Sequence, residues 1–279
     1  MNALMRDRRG RFGTMVLLAA IVVALAAPVV TDGHPDTQID VIHTRFLPPL
    51  STDRRGEWHA LGTDRFGRDV WTRLAYGARI SLGVGLLAVA ISVVLGCLVG
   101  GMAGASRGWL SLGLMAGTDF ALALPRVVLL LLLAALWRPS AGLVVIVLGV
   151  TGWMGIARLV YGEVRSLSAR SFAESARALG AARWRVLWRH LLPNALTPVT
   201  VAAALGVGNA ILLEAGLSYL GLGVQPPTAS WGSMIASGRD TLVNAPWVAA
   251  APGIALVLIV VACTLLGDAL RDRLVPGHH

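Results

Sequence analysis

Six apolar runs, separated by polar segments, dominate the pattern of the chain. Each run is long enough to cross a bilayer as a helix, which takes about 20 apolar residues and tolerates a few fewer. The first run is near the lower limit of length and, with Ala24 and Ala26 near its end, also fits a cleavable signal peptide. We favour an uncleaved first span because further spans follow. The sequence thus predicts an all-α, polytopic membrane protein with six transmembrane helices, at 15–30, 81–102, 112–137, 141–157, 199–222 and 248–267.

Composition supports this fold class. Apolar residues make up 56% of the 279 residues and the mean hydropathy is +0.69, whereas soluble domains are nearer 45–50% apolar. The formal charge of +9 comes from 24 arginines with no lysine, which excludes lysine-based Schiff-base chemistry. Cys97 and Cys263 lie in apolar runs and are predicted to be buried thiols rather than a disulfide or metal pair.

Several residues inside the spans are unusual for a lipid environment. Gly96, Gly100 and Gly104 recur every four residues and predict a helix face for close packing. The third run contains Asp119, Pro125 and Arg126, and the fifth contains Asn209 and Glu214. Charged groups at this depth are costly in lipid, so they should face protein, water or headgroups. Asp119 is seven residues from Arg126 and so shares its helix face. Two interpretations of these charges remain open: an ion pair with a neighbouring helix, and a role in gating.

Glu214 receives no partner from its own helix in the sequence pattern, where Ile211 and Leu217 share its face. One hypothesis is that Glu214 faces a second subunit or a water-filled path and holds an exterior gate. The alternative is a structural, protonated carboxyl bonded to a backbone carbonyl of the next helix. Asn209, Asp119 and Glu214 are therefore the candidate gate or pathway residues.

The segment 171–194 is polar and rich in arginine between two apolar runs. Ser171 and Glu174 have the spacing of a capping box, and Gly180 is predicted to end that helix with a positive φ. Trp184, with the residues at 187, 188 and 191, predicts a second amphipathic helix, which Pro193 and Pro198 should stop. By itself, the segment could also be a solvated basic loop that obeys the positive-inside rule.

The polar segment 31–79 is predicted to lie outside the cell. It should contain a turn at 62–67 and then an interfacial amphipathic helix that uses Val70, Leu74 and Ala78. His34, His43 and His59 lack metal-ligand spacing, so we expect solvated histidines and no metal site.

The segment 171–194 resembles the glutamate-alanine-alanine loop of permease subunits from binding-protein-dependent ABC transporters. Glu174, Ala176, Gly180, Leu192 and Pro193 fall at matching positions, while Ser175 replaces an alanine. The strings from 59 to 82 and from 217 to 235 are similar to the dipeptide, oligopeptide and nickel subfamily, in its second, C-type permease subunit.

The resemblance implies a fold like that of type I ABC importer permeases. It implies three kinds of partner beside membrane lipid: a second permease subunit in a heterodimer, one or two ATP-binding subunits, and an extracytoplasmic substrate-binding protein. It implies import of dipeptides or oligopeptides, with nickel or another small solute as the alternative. The residues expected to couple to the ATPase are Ser171, Glu174, Ser175, Ala176, Arg177, Leu179, Gly180, Leu192 and Pro193.

Three segments follow from these predictions. Residues 1–79 form a tail, the first span and the exterior segment; residues 80–273 form a five-helix core with a cytosolic coupling loop at 158–198; residues 274–279 form a tail. Fourteen arginines lie at the termini and in the loops on their side, against Arg138 and Arg239 in the short loops opposite. The positive-inside rule then places both termini in the cytoplasm, in the cell inner membrane.

Other function classes lack their required residues. No G-x-x-x-x-G-K-[ST] motif is present, so ATP hydrolysis is expected in a partner. Ser218 resembles an intramembrane protease nucleophile only weakly, because no histidine lies in a span. Asp119 has no second aspartate at its depth, H-E-x-x-H is absent, and the tryptophans do not interleave with arginines as in nucleic-acid binding. We expect no catalytic residue, cofactor, metal or nucleic-acid partner.

Overall fold

The computed structural model describes residues 7–31, 33–38 and 40–274. The first of the predicted N-terminal arginines, at position 6, and the predicted tail after Leu274 lie outside these residues. The helices are α1 (Arg8–Val30), α2 (Val41–Thr44), α3 (Val70–Ala105), α4 (Trp109–Ala123), α5 (Arg126–Ala135), α6 (Ala141–Ser168), α7 (Ser171–Ala178), α8 (Arg183–Val186), α9 (Leu192–Tyr219), α10 (Trp231–Gly238) and α11 (Trp247–Leu274). A π-helical turn at Leu187–Leu191 joins α8 to α9, and a 3-10 turn at Arg239–Thr241 follows α10.

Within the described ranges, five helical stretches are long and apolar enough to cross a membrane, or six if the bent pair of α4 and α5 counts as one span. The centre of the molecule is the pairing of α3 with α6, which is the most extensive helix contact. Helix α9 packs on both α3 and α11, and α1 covers α11 from the outside. The predicted all-α membrane fold is confirmed.

The glycine face of α3 makes the α3–α6 contact possible. A Cβ at Gly96 would lie 2.7 Å from the side chain of Ile156, and one at Gly104 would lie 2.8 Å from that of Val164. Gly149 of α6 reciprocates, since its Cβ would lie 2.8 Å from Ile91. Any larger residue would force the two helices apart, so the predicted use of these glycines in close packing is confirmed.

The third predicted span is not one straight helix. Helices α4 and α5 meet at an angle of 84°. Pro125 cannot donate a backbone hydrogen bond and disfavours helical geometry in the residue before it; Leu124 accordingly has an extended ψ of 133°. The break places Asp119 in α4 and Arg126 in α5, so the expectation that they share one helix face is wrong.

The predicted interfacial helix is not a separate element. Helix α3 runs without interruption from Val70 to Ala105, so the predicted boundary at 79/80 falls inside it. The helix begins at Val70 because the carboxylate of Asp69 accepts a hydrogen bond from Thr72 N at 2.7 Å. The predicted turn before it is present, with positive φ at Gly62 and Gly67.

The segment predicted to be exterior has its own small fold. Strands β1 (Ser51–Thr52) and β2 (Trp58–His59) pair antiparallel, with Ser51 opposite His59. His59 is buried, and its Nδ1 lies 2.9 Å from Asp69; the expectation of a solvated histidine is wrong here because β2 places the ring against the start of α3. The indole of Trp247 donates to the carbonyl of Thr63 at 3.1 Å, which ties the segment to α11.

The fourth and fifth spans both continue beyond their predicted inner ends. Helix α6 reaches Ser168, and α9 begins directly after the π-helical turn, so Pro193 and Pro198 do not stop the helix. The π-helical turn resolves the problem posed by Pro193. In that turn the backbone N–H of Leu192 bonds to the carbonyl of Leu187, five residues earlier, and Pro193, which follows immediately, lies in the first turn of α9, where a missing N–H is tolerated.

Candidate coupling surface and polar sites within the spans

Helix α7 is held against the end of α6 by one arginine. The guanidinium of Arg177 donates to the carbonyl of Ala173 in α7 at 3.1 Å and to that of Ser168 at the end of α6 at 2.5 Å. Ala173, on the inner face of α7, is fully buried in a cluster with Val160, Val164 and Leu187. The loop is therefore a fixed structure on an apolar base.

Gly180 ends α7 in a Schellman motif. Its N–H bonds to the carbonyl of Arg177 and the N–H of Ala181 bonds to that of Ala176, at 3.0 and 3.1 Å. Its φ is +84°, a conformation that glycine adopts without strain. The predicted helix end and positive φ are confirmed.

The predicted capping box is wrong. Arg170 is the N-cap residue of α7, no side chain caps the helix, and Ser171 is already its first helical residue. The last turn of α6 runs into Arg170, whose carbonyl accepts from Glu174 N at 3.2 Å. The side chains of Ser171 and Glu174 are consequently exposed and free to meet a partner.

The predicted apolar stripe of the second helix divides into two parts. Leu187 and Leu191 are 2% and 3% exposed, whereas Trp184 and Trp188 are 58% and 41% exposed. The two indoles pack edge to face with centroids 5.1 Å apart. The stripe is not buried as a whole, because the π-helical turn changes the angular spacing of its residues.

Four large apolar side chains of this loop are exposed. We call this set the loop patch; it consists of Phe172, Leu179, Trp184 and Trp188. Leu179 is 89% exposed. Clustered apolar side chains with polar surroundings mark surfaces that a partner covers. Arginines line a cavity in the same loop region, and such charges are costly in lipid hydrocarbon.

The other predicted coupling residues differ in how deeply they are buried near the loop patch. Ser175 is exposed, Ala176 packs against the apolar base, and Leu192 is 7% exposed within that base. Next to them, a cavity of about 310 Å³ is lined by arginines from α3–α4, α6, α7 and α8 and by Glu174. The surface around the loop is therefore basic. The assignment of these residues to ATPase coupling stays a prediction.

Glu214 lies in a closed hydrogen-bond network. Its side chain is fully buried and accepts from Ser218 Oγ at 2.7 Å and from Ser81 Oγ at 3.1 Å. Those hydroxyls in turn accept from Val224 N at 3.0 Å and Trp231 N at 3.1 Å. One carboxyl group thus connects α3, α9, the turn after α9 and the start of α10.

The expectation that nothing on its own helix satisfies Glu214 is wrong. Ser218 lies one helical turn later and faces the carboxyl group; this i,i+4 spacing is visible in the sequence. Ser81 and Trp231 could not be found in this way, because they are distant in the chain. The side chain does not face solvent in this structure, and its role as a gate stays a prediction.

Asp119 pairs with α6. Its Oδ1 lies 3.3 Å from Nε of Arg158, with both side chains at least half exposed. The alternative of an ion pair with a neighbouring helix is confirmed, and its partner is not Arg126.

Asn209 is exposed on α9 and lines a cavity of about 220 Å³ with Arg126, Ser92 and Gly152.

Outside the spans, one acid–base contact links neighbours in the sequence. Nδ1 of His43 lies 2.9 Å from Asp40, and this hydrogen bond lowers the pKa of Asp40 below its ordinary value. A cavity of about 490 Å³ lies beside these residues, between the end of α1 and the exterior segment. Within the described ranges, no cluster of three or more potential metal ligands is present.

Comparison with known proteins connects these features to one family. Residues 92–278 match the family described as the binding-protein-dependent transport system inner membrane component. A protein from Brucella abortus biovar 1, named provisionally as a peptide transport system permease, is 40% identical over 98% of this chain and 89% of its own length. The dipeptide transport system permease protein DppC of Alkalihalophilus pseudofirmus is 34% identical over 98% of this chain and 87% of its own.

The fold is also that of a solved importer. An inward-facing structure of the MetNI methionine ABC transporter superposes with a TM-score of 0.58 over 73% of this chain and 96% of that chain, at 20% identity. The permease-like fold expected from the sequence is thus confirmed. The family match covers the predicted coupling loop, Glu214 and the last span. The chain belongs to the inner-membrane components of binding-protein-dependent transport systems.

Proposed function

We propose that this chain is one of two different permease subunits of an ATP-driven importer for dipeptides and short oligopeptides. As a family member it is a multi-pass inner-membrane transport subunit that works with an ATPase and a substrate-binding protein. In the proposal, a second, non-identical permease completes the pathway. Both termini and the loop at 158–198 face the cytoplasm.

The observation that carries the coupling role is the loop patch on its fixed base. A surface that transmits force must present contacts to a partner and must not deform when it is pushed. Leu179 and Trp184 offer exposed apolar contacts, while Arg177 and the Schellman motif at Gly180 fix the helix that bears them. The arginines of the loop region suit an acidic rim on the ATPase.

The energy for transport comes from the partner. The chain has no phosphate-binding G-x-x-x-x-G-K-[ST] loop, and its family consists of membrane components of transporters. Peptide cargo is supported by the names of the relatives from Brucella and Alkalihalophilus. In the proposal, selection among peptides is shared with the binding protein.

The docking role is tested by Leu179→Asp in the complete transporter. This side chain is 89% exposed, so the variant should fold normally. Placing a charge at the centre of an apolar contact should lower ATPase recovery with the purified permease by about 30-fold, the effect of losing about 2 kcal/mol at an interface hot spot. Uptake of radiolabelled alanyl-alanine into proteoliposomes should fall with it.

Val243→Asp is the matched control, since Val243 is 95% exposed and lies between α10 and α11 on the opposite side in the proposed topology. Normal ATPase recovery with Leu179→Asp would contradict the docking role. If wild-type transporter imports nickel but no peptide, the peptide proposal fails while the docking result stands.

The topology is tested with a single cysteine at Leu179 after replacement of Cys97 and Cys263, which are both buried. A membrane-impermeant maleimide should label this cysteine only in broken cells. A cysteine at Val243 should react in intact cells. Labelling of position 179 from outside would overturn the proposed orientation.

A further inference from the structure

We propose that the cavity beside Arg126 binds an anionic group of the transported solute, namely the terminal carboxylate of a peptide. The inference rests on the proposed transport function and deepens it, because it assigns a contact for the cargo within the membrane. From the sequence alone, Arg126 was notable only as a charged residue within an apolar run, where a charge is energetically unfavourable.

The geometry places the guanidinium inside the helix bundle rather than in lipid. Nε of Arg126 is wholly buried. A Cβ at Gly152 of α6 would lie 3.3 Å from Nη2 of Arg126, so the guanidinium lies close against α6. The break at Pro125 directs this first residue of α5 toward α6, α3 and α9.

The guanidinium has no counter-charge in the part of the chain that the structure describes. Nε has no hydrogen-bond partner there, and no acid lines the cavity. Asp119, the nearest acid in sequence, is engaged with Arg158. A permanent cation in an apolar span is costly unless water or an anion reaches it. The unpaired charge therefore points to a group supplied from outside the chain.

The remaining lining suits a small carboxylate with an apolar body. The amide of Asn209 supplies a second donor on the facing helix. The hydroxyl of Ser92 donates to the carbonyl of Gly149 at 2.9 Å, so it keeps only acceptor capacity for a guest. The other side chains are apolar, among them Val89, Leu148 and Ile156.

Size and architecture agree with this chemistry. A cavity of about 220 Å³ is smaller than the ~300 Å³ at which drug-sized ligand sites begin, so it holds one end of a peptide rather than a long chain. Planar guanidinium groups bind carboxylates through two parallel hydrogen bonds. Broken membrane helices with polar groups at the break commonly form solute sites in transporters.

The first test compares import of alanyl-alanine and of its C-terminal amide by proteoliposomes that contain the complete transporter. Arg126→Gln should lower import of the free acid by about 10- to 100-fold, the effect of losing a charge-assisted hydrogen bond, and should leave import of the amide unchanged. The binding protein is identical in both samples, so its own preference cancels when the two acid-to-amide ratios are compared. Arg126→Lys, which keeps the charge, should restore part of the difference.

The second test reads the charge of the cavity without any cargo. Gly155 lines the cavity, and a Cβ built there meets no atom within 4 Å. In the complete transporter with Cys97 and Cys263 changed to alanine, Gly155→Cys should react faster with anionic sulfonatoethyl methanethiosulfonate than with the cationic trimethylammonium reagent. Arg126→Gln should lower this ratio by about tenfold, which corresponds to about 1.4 kcal/mol. Gly117→Cys on α4, also in open space, is the control whose ratio should not change.

The outcomes separate the site from the transport function. Equal loss of acid and amide import in Arg126→Gln, with loss of permease assembly, would mean that Arg126 pairs with an acid of the second subunit, and the inference would be overturned. Unchanged import of both peptides would overturn it as well. If wild-type transporter imports neither peptide, the peptide function fails, and the reagent ratio alone decides whether the cavity is an anion site.

Discussion

Glu214 and Arg126 are both ionisable side chains inside apolar stretches, and the fold treats them in opposite ways. Glu214 is fully buried and receives hydrogen bonds from two serine hydroxyls. Arg126 borders a cavity with an unpartnered Nε. Buried polar groups are nearly always paired within a native structure. The comparison shows that the chain itself supplies hydrogen-bond partners for Glu214, whereas among the described residues it supplies none for Nε of Arg126.

The largest effect expected from this comparison is on stability, in Glu214→Leu. Leucine fits the apolar surroundings but leaves the hydroxyls of Ser81 and Ser218 without their acceptor. We expect a loss of about 2 kcal/mol in the free energy of unfolding in mixed SDS micelles. Arg126→Gln removes a charge whose buried Nε has no partner among the described residues, so it should not lower this free energy. Equal losses in both variants would end the contrast.

Glu214→Gln separates the structural role from the gating hypothesis. The amide oxygen still accepts a hydrogen bond, but the side chain can no longer carry a charge. If the role is structural, peptide import and basal ATP turnover should equal those of wild type between pH 6 and 8. If the variant is stable but has a raised basal rate of ATP hydrolysis or a lowered rate of import, the result would instead support a gate.

A smaller effect is expected from Ser218→Ala. This change removes the 2.7 Å bond to Glu214 and leaves the backbone N–H of Val224 without its acceptor. The loss should be about 1 kcal/mol. Proteolysis or hydrogen exchange of the turn between α9 and α10 should increase, because Val224 is anchored there. Ser237→Ala is a matched control, since that hydroxyl bonds only within its own helix.

The smallest effect should come from Asp119→Asn. The pair with Arg158 is at least half exposed on both sides, and exposed ion pairs contribute about 0–1 kcal/mol. Both stability and import should remain close to wild type. A loss of import with intact stability would mean that Asp119 acts in transport, as proposed for Arg126, rather than in holding the fold together.

Much of this fold follows from local sequence patterns. The apolar runs located the spans, and the four-residue glycine spacing predicted a face of α3 for close helix packing, because both signals depend only on helical periodicity. The partner helix, α6, was not predicted. The helix end at Gly180 was likewise predictable from one residue with a strong conformational preference. Such features need no knowledge of distant residues.

The failures have physical causes of another kind. Pro125 breaks its helix, whereas Pro193 and Pro198 lie within α9. Pro193 is tolerated because a π-helical turn, which no single residue specifies, comes directly before α9. The capping box failed because α6 continues into the loop. The Glu214 network unites residues 81, 214 and 231, and only the tertiary fold brings residues so far apart in sequence into contact.

The unbroken course of α8 and α9 has a mechanical consequence. From Arg183 to Tyr219 the chain is helical over 37 residues, about 55 Å at 1.5 Å per residue. One end carries the loop patch and the other ends just after Glu214. A stiff rod of this length behaves as a lever, so a tilt imposed on the loop at one end displaces the turn and α10 at the other end. Spin labels at Leu179 and Val243 should therefore keep their separation when ATP binds, whereas a change in that separation would show that the π-helical turn acts as a hinge.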